Sequence, residues 1–173
     1  LDDKRRAKRN DKYAFGPGMK KAFTLVEVLI VAAIVGILAA IVIPEFQNYI
    51  QQAKEAAAKD NLRILRTAIE RYATEHNGIP PGYIQNDPSR LALDGGLGPA
   101  YNGQLVNNGH YLSKLPENPF NNKIETKMIA NEASFPIEPV EADLYGWIYQ
   151  PATKTIKLNW PDTDSNGVAY FDY

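Results

Sequence analysis

The chain contains no cysteine, which excludes disulfide staples, thiolate nucleophiles and Cys-ligated zinc together. Histidine is nearly as scarce: there are two, His76 and His110, with no metal-ligand spacing between them. There is no glycine-rich phosphate loop, and Ser113 and Ser134 stand in no nucleophile motif. With the common catalytic parts missing, no catalytic residue is assigned and an enzyme is not expected. An excess of either charge is also absent. Lys and Arg number 19 against 20 Asp and Glu, so the whole chain gives no bulk electrostatic case for a nucleic-acid partner. A length of 173 residues leaves room for one ordinary domain and an appendage.

What is present is unevenly placed. Residues 1–22 carry eight bases and three acids, a net of +5, and the remainder carries 11 bases and 17 acids, a net of −6. Between these regions lies Phe23 to Ile43, 21 residues with one charge, Glu27, and no proline. As a helix this run spans about 31 Å, close to the hydrocarbon thickness of a bilayer. A secretory signal peptide has an apolar region of about 7–15 residues ending in a small-residue cleavage site, so this run is too long for one. The rest of the chain is too polar to bury such a helix on all sides, so the segment reads as a membrane span. Eight bases precede it and the first base after it is Lys54. The positive-inside rule therefore places the N-terminus in the cytoplasm and the C-terminal part across the membrane. Met19-Lys20-Lys21 alone makes a short basic leader, so residues 1–18 read as an upstream extension or as an artefact of start-site choice.

Lys20-Lys21-Ala22-Phe23-Thr24-Leu25-Val26-Glu27, an apolar run and Pro44 together resemble the N-terminus of type IV pilins and type II secretion pseudopilins. Counted from Phe23, Glu27 is the fifth residue and Pro44 the twenty-second, as in that family; Ala22 stands where the family usually has Gly. The resemblance implies cleavage between Ala22 and Phe23 by a prepilin peptidase, N-methylation of Phe23, and assembly from a bacterial inner membrane into a homo-oligomeric filament. It also implies an inner-membrane assembly platform and minor pseudopilins as partners. The physical chemistry of the residues stands beside it. An ionised Glu27 one turn inside the span either snorkels to the headgroups or finds a partner. Cleavage supplies one, the new α-ammonium of Phe23, in the same helix or in a neighbour. Pro44 either marks where the span meets water or, with Gly36, gives the helix weak points during assembly.

Beyond Pro44 the pattern becomes periodic. Ala58, Leu62, Leu65, Ile69 and Tyr72 recur at three- and four-residue spacing, so residues 44–77 read as an amphipathic helix that stops at Asn77-Gly78 ahead of Pro80-Pro81. Residues 78–140 are broken by prolines and by the turn signals Gly95-Gly96 and Asn107-Asn108-Gly109, which predicts little regular structure apart from a short helical piece near 88–93 and extension at 111–114. Leu115-Pro116 followed by Asn118-Pro119-Phe120 is similar to a segment of the major pseudopilins of type II secretion. Residues 145–149 and 155–160 predict a hairpin whose apolar face, Ile156, Leu158 and Trp160, rests on the helix stripe. The expected fold is α+β, a long N-terminal helix packed on a small C-terminal antiparallel sheet.

One further constellation is site-like. Asp162-Thr-Asp164-Ser-Asn166-Gly167 matches the opening of a calcium loop, with Asp172 as a late carboxylate, although Tyr173 stands where the template needs Glu. Asp162, Asp164, Asn166 and Asp172 are thus candidate Ca²⁺ ligands, and an Asx-rich turn is the plain alternative. The favoured function is a pseudopilus subunit of type II secretion, with a type IV pilin of a surface or DNA-uptake filament as the alternative. Missing cysteines speak against the pilins that close a C-terminal disulfide loop, and the net −6 of the mature region speaks against DNA. An uncleaved signal-anchored binding protein is the remaining class.

Overall fold

The computed structural model describes residues 22–92, 101–106 and 110–173. The basic leader through Lys21, Gly95-Gly96 with Pro99, and Asn107-Asn108-Gly109 lie outside the described residues. The chain divides into two units, one up to Ile43 and one from Pro44 to Tyr173. Helix α1, Leu25–Glu75, supplies 51 residues to the two.

In the first unit the side chains from Phe23 to Ile43 are exposed except Ala39, which is half-buried. A helix greasy on nearly every side and covered by none of the described residues is long and apolar enough to cross a membrane.

In the second unit, the α1 residues expected to face inward do so: Ala58, Leu62, Leu65, Ile69 and Tyr72 are all buried. They share one core with Leu105, Leu115, Trp147, Tyr149, Ile156, Leu158 and Tyr170. Fully burying each large apolar side chain contributes about 1.5–3 kcal/mol, so tertiary packing rather than helix propensity holds this half of α1. The helix ends as its sequence requires. Asn77 and Gly78 both adopt positive φ, and the Gly78 N–H donates to the Ala73 carbonyl at 2.8 Å, the closing bond of a Schellman-type cap.

The sheet has three strands, β1 (Thr126–Met128), β2 (Trp147–Gln150) and β3 (Thr155–Leu158), in the order β1-β2-β3. The expected hairpin is β2 and β3, antiparallel with Trp147 opposite Leu158 and Gln150 opposite Thr155. Its loop is a 3₁₀ turn, Pro151–Thr153, closed by Lys154 in the left-handed region. The sheet is mixed rather than wholly antiparallel. Strand β1 pairs parallel with β2, and three residues are too few to announce a strand in the sequence. Asn159 also departs from the expected alternation. It is fully buried, because its side chain accepts from the Val140 N–H at 2.9 Å and donates to the Val140 and Tyr145 carbonyls at 2.8 Å each.

The proline-rich stretch carries more structure than predicted. Helix α2, Asn102–Val106, buries Leu105 in the core. Near residues 88–93 the described part is a turn rather than a helical piece, with the 3₁₀ segment displaced to Ile84–Asn86; Tyr111–Lys114 is bent rather than extended. Asn118 organises the segment before the sheet. Its amide donates to the Gly146 carbonyl at 3.0 Å while its oxygen accepts from the Phe120 N–H at 2.9 Å, and the Trp147 indole N–H reaches the Pro116 carbonyl at 3.0 Å. Gly146 is obligatory there, since a Cβ would lie 2.3 Å from the Lys123 carbonyl oxygen.

Candidate functional site

Ala22, Phe23 and Thr24 form a non-helical, exposed lead-in to α1. The first turn of the helix is closed by a capping box. Both the N–H and the hydroxyl of Thr24 donate to Glu27 Oε2 at 3.0 Å, and Thr24 Oγ1 accepts from the Glu27 N–H at 3.2 Å. The carboxylate thus has partners within its own helix end without any ammonium. The signal was a threonine three residues ahead of a glutamate at the start of an apolar run. Phe23 is 82% exposed. At Gly36 an added Cβ would meet nothing, so nothing within the described residues demands glycine there. Pro44 lies inside α1, where proline removes one ladder bond and costs about 3 kcal/mol.

The C-terminal candidates are dispersed rather than gathered. Asp164 is buried, and both its oxygens are engaged. Oδ1 accepts from the N–H of Asn166 at 2.8 Å and of Val168 at 2.9 Å, while Oδ2 accepts from the Tyr173 hydroxyl at 2.9 Å and faces Lys59 Nζ at 3.5 Å. The Val168 N–H, with smaller help from Tyr173, Asn166 and Lys59, overcomes burial and holds this carboxyl at about 2. Asp162 and Asn166 are exposed, and Asp172 pairs with Lys157 at 3.2 Å. Calcium takes six to eight oxygens, and among the described residues no three Asp, Glu, His or Cys side chains converge as a cage. These four residues do not fit the ion in this arrangement. Asp164 and Asn166 instead build an Asx turn, the Asn166 N–H on Asp164 Oδ1, overlaid on a β-turn in which the N–H of Gly167, at positive φ, donates to the Asp164 carbonyl at 2.9 Å.

The partner of this turn is a flank of α1 that periodicity of apolar residues does not reveal. Glu55 is buried, accepting from the N–H of Ser165 at 3.2 Å, the Ser165 hydroxyl at 3.1 Å and the Tyr170 hydroxyl at 3.1 Å. Gln51 donates to the same Tyr170 hydroxyl, Lys59 sits 4.2 Å above the Tyr173 ring, and Arg66 donates to the Tyr173 main-chain oxygen at 2.5 Å. Gln51, Glu55 and Lys59, one turn apart, form a polar clasp on residues 164–173. Their i, i+4, i+8 spacing was the available signal. The two histidines attach to the C-terminal end of α1. His76 stacks on Tyr72 with ring centroids 4.0 Å apart. His110 and Tyr111 both bond Glu75 Oε2, at 3.0 and 2.7 Å; Tyr111 first and then His110 hold that carboxyl at about 2.

Residues 18–43 match the family described as the prokaryotic N-terminal methylation motif. The chain is 50% identical to the type IV major fimbrial protein FimA of Dichelobacter nodosus over 52 residues, 30% of this chain and 33% of FimA. It is 29% identical to the type II secretion system core protein G of Pseudomonas aeruginosa over 126 residues, 72% of this chain and 84% of that protein. It is 32% identical to the type IV major pilin protein PilE1 of Neisseria gonorrhoeae over 114 residues, 65% of this chain and 51% of PilE1. The match thus spans about a third of the length of the fimbrial relative. No solved structure matches the chain. A capped apolar helix that fits a membrane anchor, leading into a small α+β domain, defines a pilin-like protein. With the methylation motif at its head, the chain is similar to both type IV pilins and type II secretion pseudopilins.

Proposed function

We propose that the chain is a structural subunit of a type II secretion pseudopilus. It inserts with its N-terminus in the cytoplasm, is cleaved between Ala22 and Phe23 by a prepilin peptidase, is methylated on Phe23, and polymerises out of the inner membrane with the assembly platform and minor pseudopilins. The observation that carries this reading is the reach of the similarity to core protein G. Its 126 residues are more than the 51 of α1 can account for, so the likeness includes the globular unit. The absence of cysteine agrees with it, because no C-terminal disulfide loop of the pilin kind can form.

Once cleaved, the Phe23 ammonium faces a carboxylate four residues away that already caps the helix. A neighbour's Glu27 offers the same charge. Pairing between copies neutralises two charges in a low-dielectric core and fixes the axial register of one subunit against the next. A type IV pilin is the second reading, favoured by the 114-residue match to PilE1. Deleting the gene in the source bacterium separates them. A pseudopilin deletion abolishes extracellular release of secreted proteins and leaves surface pili intact; loss of surface pili with intact secretion overturns the first reading in favour of the second.

A further inference from the structure

Ile137 is 95% exposed, at the tip of a loop that is otherwise tied down. On one side the Gln150 amide donates to the carbonyls of Ala130 and Ala133 at 2.9 and 2.8 Å, and the Phe135 ring lies 6.3 Å from Phe171. On the other, Asn159 holds both the N–H and the carbonyl of Val140, and Lys127 pairs with Glu141 at 2.7 Å. Pro136 and Pro139 fix φ on either side of the tip. The result is a large apolar side chain held out on a braced support, so seating it against a partner costs little ordering entropy. The segment itself carries charge of one sign: residues 130–145 contain four acids and no base.

A matching receptor lies elsewhere on the globular unit. A groove of about 210 Å³ has a floor of Ile64, Ala68, Tyr111 and Leu112 and a rim of Arg63 and Arg71. Residues 54–71 of α1 carry five bases against three acids. Among the described residues, Arg63 spends only Nε and Nη2, on Asp60, and Arg71 only Nε and Nη1, on Glu75 and the His110 carbonyl. Each guanidinium therefore keeps N–H donors for an incoming carboxylate.

We propose that Ile137 of one subunit seats in the Arg63–Arg71 groove of a second copy, with Glu138 and Glu132 meeting the two guanidinium rims. The proposal rests on the filament reading and adds a lateral contact between globular units. Tip and groove are different surfaces, so the contact is heterologous. Repeated from copy to copy it propagates along an open helical filament instead of closing a dimer.

The cysteine-free chain gives a clean background for a test on the full-length protein in assembled filaments. Ile137→Cys combined with Thr67→Cys, an exposed position within the groove, should give on mild oxidation a reducible ladder extending beyond the dimer, with this chain alone at every rung. Either single variant can stop only at monomer or dimer. Glu138→Arg should lower the filament yield severalfold and Arg63→Glu should restore it in the double variant. Normal filaments of the double-cysteine variant without a ladder would overturn the contact and leave the filament reading standing. A different protein at the rungs would overturn the choice of occupant. Failure of the unsubstituted chain to form filaments under the same conditions would overturn the filament reading and the contact with it.

Discussion

The Glu27 carboxylate and Thr24 are bonded three times over: the N–H and hydroxyl of Thr24 both donate to Glu27 Oε2, and the Thr24 oxygen accepts the Glu27 N–H. One acid therefore serves a helix cap within the subunit and, in the proposed filament, a charge pair between subunits. The two roles separate by substitution. Thr24→Ala removes the cap and leaves the charge, loosening the first turn by about 0.5–2 kcal/mol. Glu27→Val removes the charge and the two bonds that end on the carboxylate, keeps the bond from the residue-27 N–H to Thr24 Oγ1, and makes insertion easier. Thr24→Ala is expected to assemble at reduced yield with faster amide exchange in the first turn. Glu27→Val is expected to reach the membrane at normal levels yet fail to form filaments. Wild-type filament yield from Glu27→Val would contradict the pairing.

Mass spectrometry of assembled material should find Phe23 as the first residue, carrying one methyl group. Lys20 or Lys21 still attached in filaments would contradict processing at the Ala22–Phe23 bond.

The Asp164 carboxyl titrates at about 2 in the folded chain against an ordinary value of 3.8. Between these values the unfolded chain binds the proton and the folded chain does not, so stability rises with pH across the window. The contribution is complete above about 4 and is lost as pH falls toward 2. In detergent, the melting midpoint of the wild-type chain should fall more steeply over that range than that of Asp164→Asn. Parallel curves would remove Asp164 from acid sensitivity.

With its oxygens spent on Asn166, Val168, Tyr173 and Lys59, Asp164 has little left for a cation. Melting curves in millimolar Ca²⁺ and in chelator are expected to coincide. A concentration-dependent rise with calcium, abolished by Asp162→Ala with Asp164→Ala, would show instead that the turn reopens to gather all four candidate ligands.

Asn118→Ala should lower stability by about 1–3 kcal/mol, because it leaves the part-buried Phe120 N–H without its acceptor and takes from the Gly146 carbonyl one of its two donors, the other being the Asn159 N–H. Denaturant titration with tryptophan fluorescence reads this directly, since Trp147 stands next to Gly146. An unchanged midpoint would mean that water replaces the amide.

The long helix, its inward stripe, its stop at Asn77-Gly78 and the terminal hairpin were legible because each is written in local spacing or composition. The N-terminal motif was legible because its spacing from Phe23 to Glu27 and Pro44 is distinctive. Strand β1 was not legible. Thr126-Lys127-Met128 is too short to show a period, and what makes it a strand is β2, which lies beyond a crossover. The calcium expectation had a related origin. Asp162, Asp164 and Asn166 look like ligands when read along the chain, but the atoms that satisfy Asp164 include a lysine more than a hundred residues upstream. Glu55 was hidden for the converse reason: on an otherwise amphipathic helix a glutamate reads as solvent-facing until its three donors are known.

The clasp between Glu55 and the Ser165–Tyr170 turn joins parts of the chain separated by 110 and 115 residues. Translation delivers the helix long before the turn, so Glu55 stays without its donors until Ser165 and Tyr170 have emerged. A chain broken off before Ser165 would have to bury that carboxylate uncompensated or leave the adjoining core open to water, and either marks it for proteolysis.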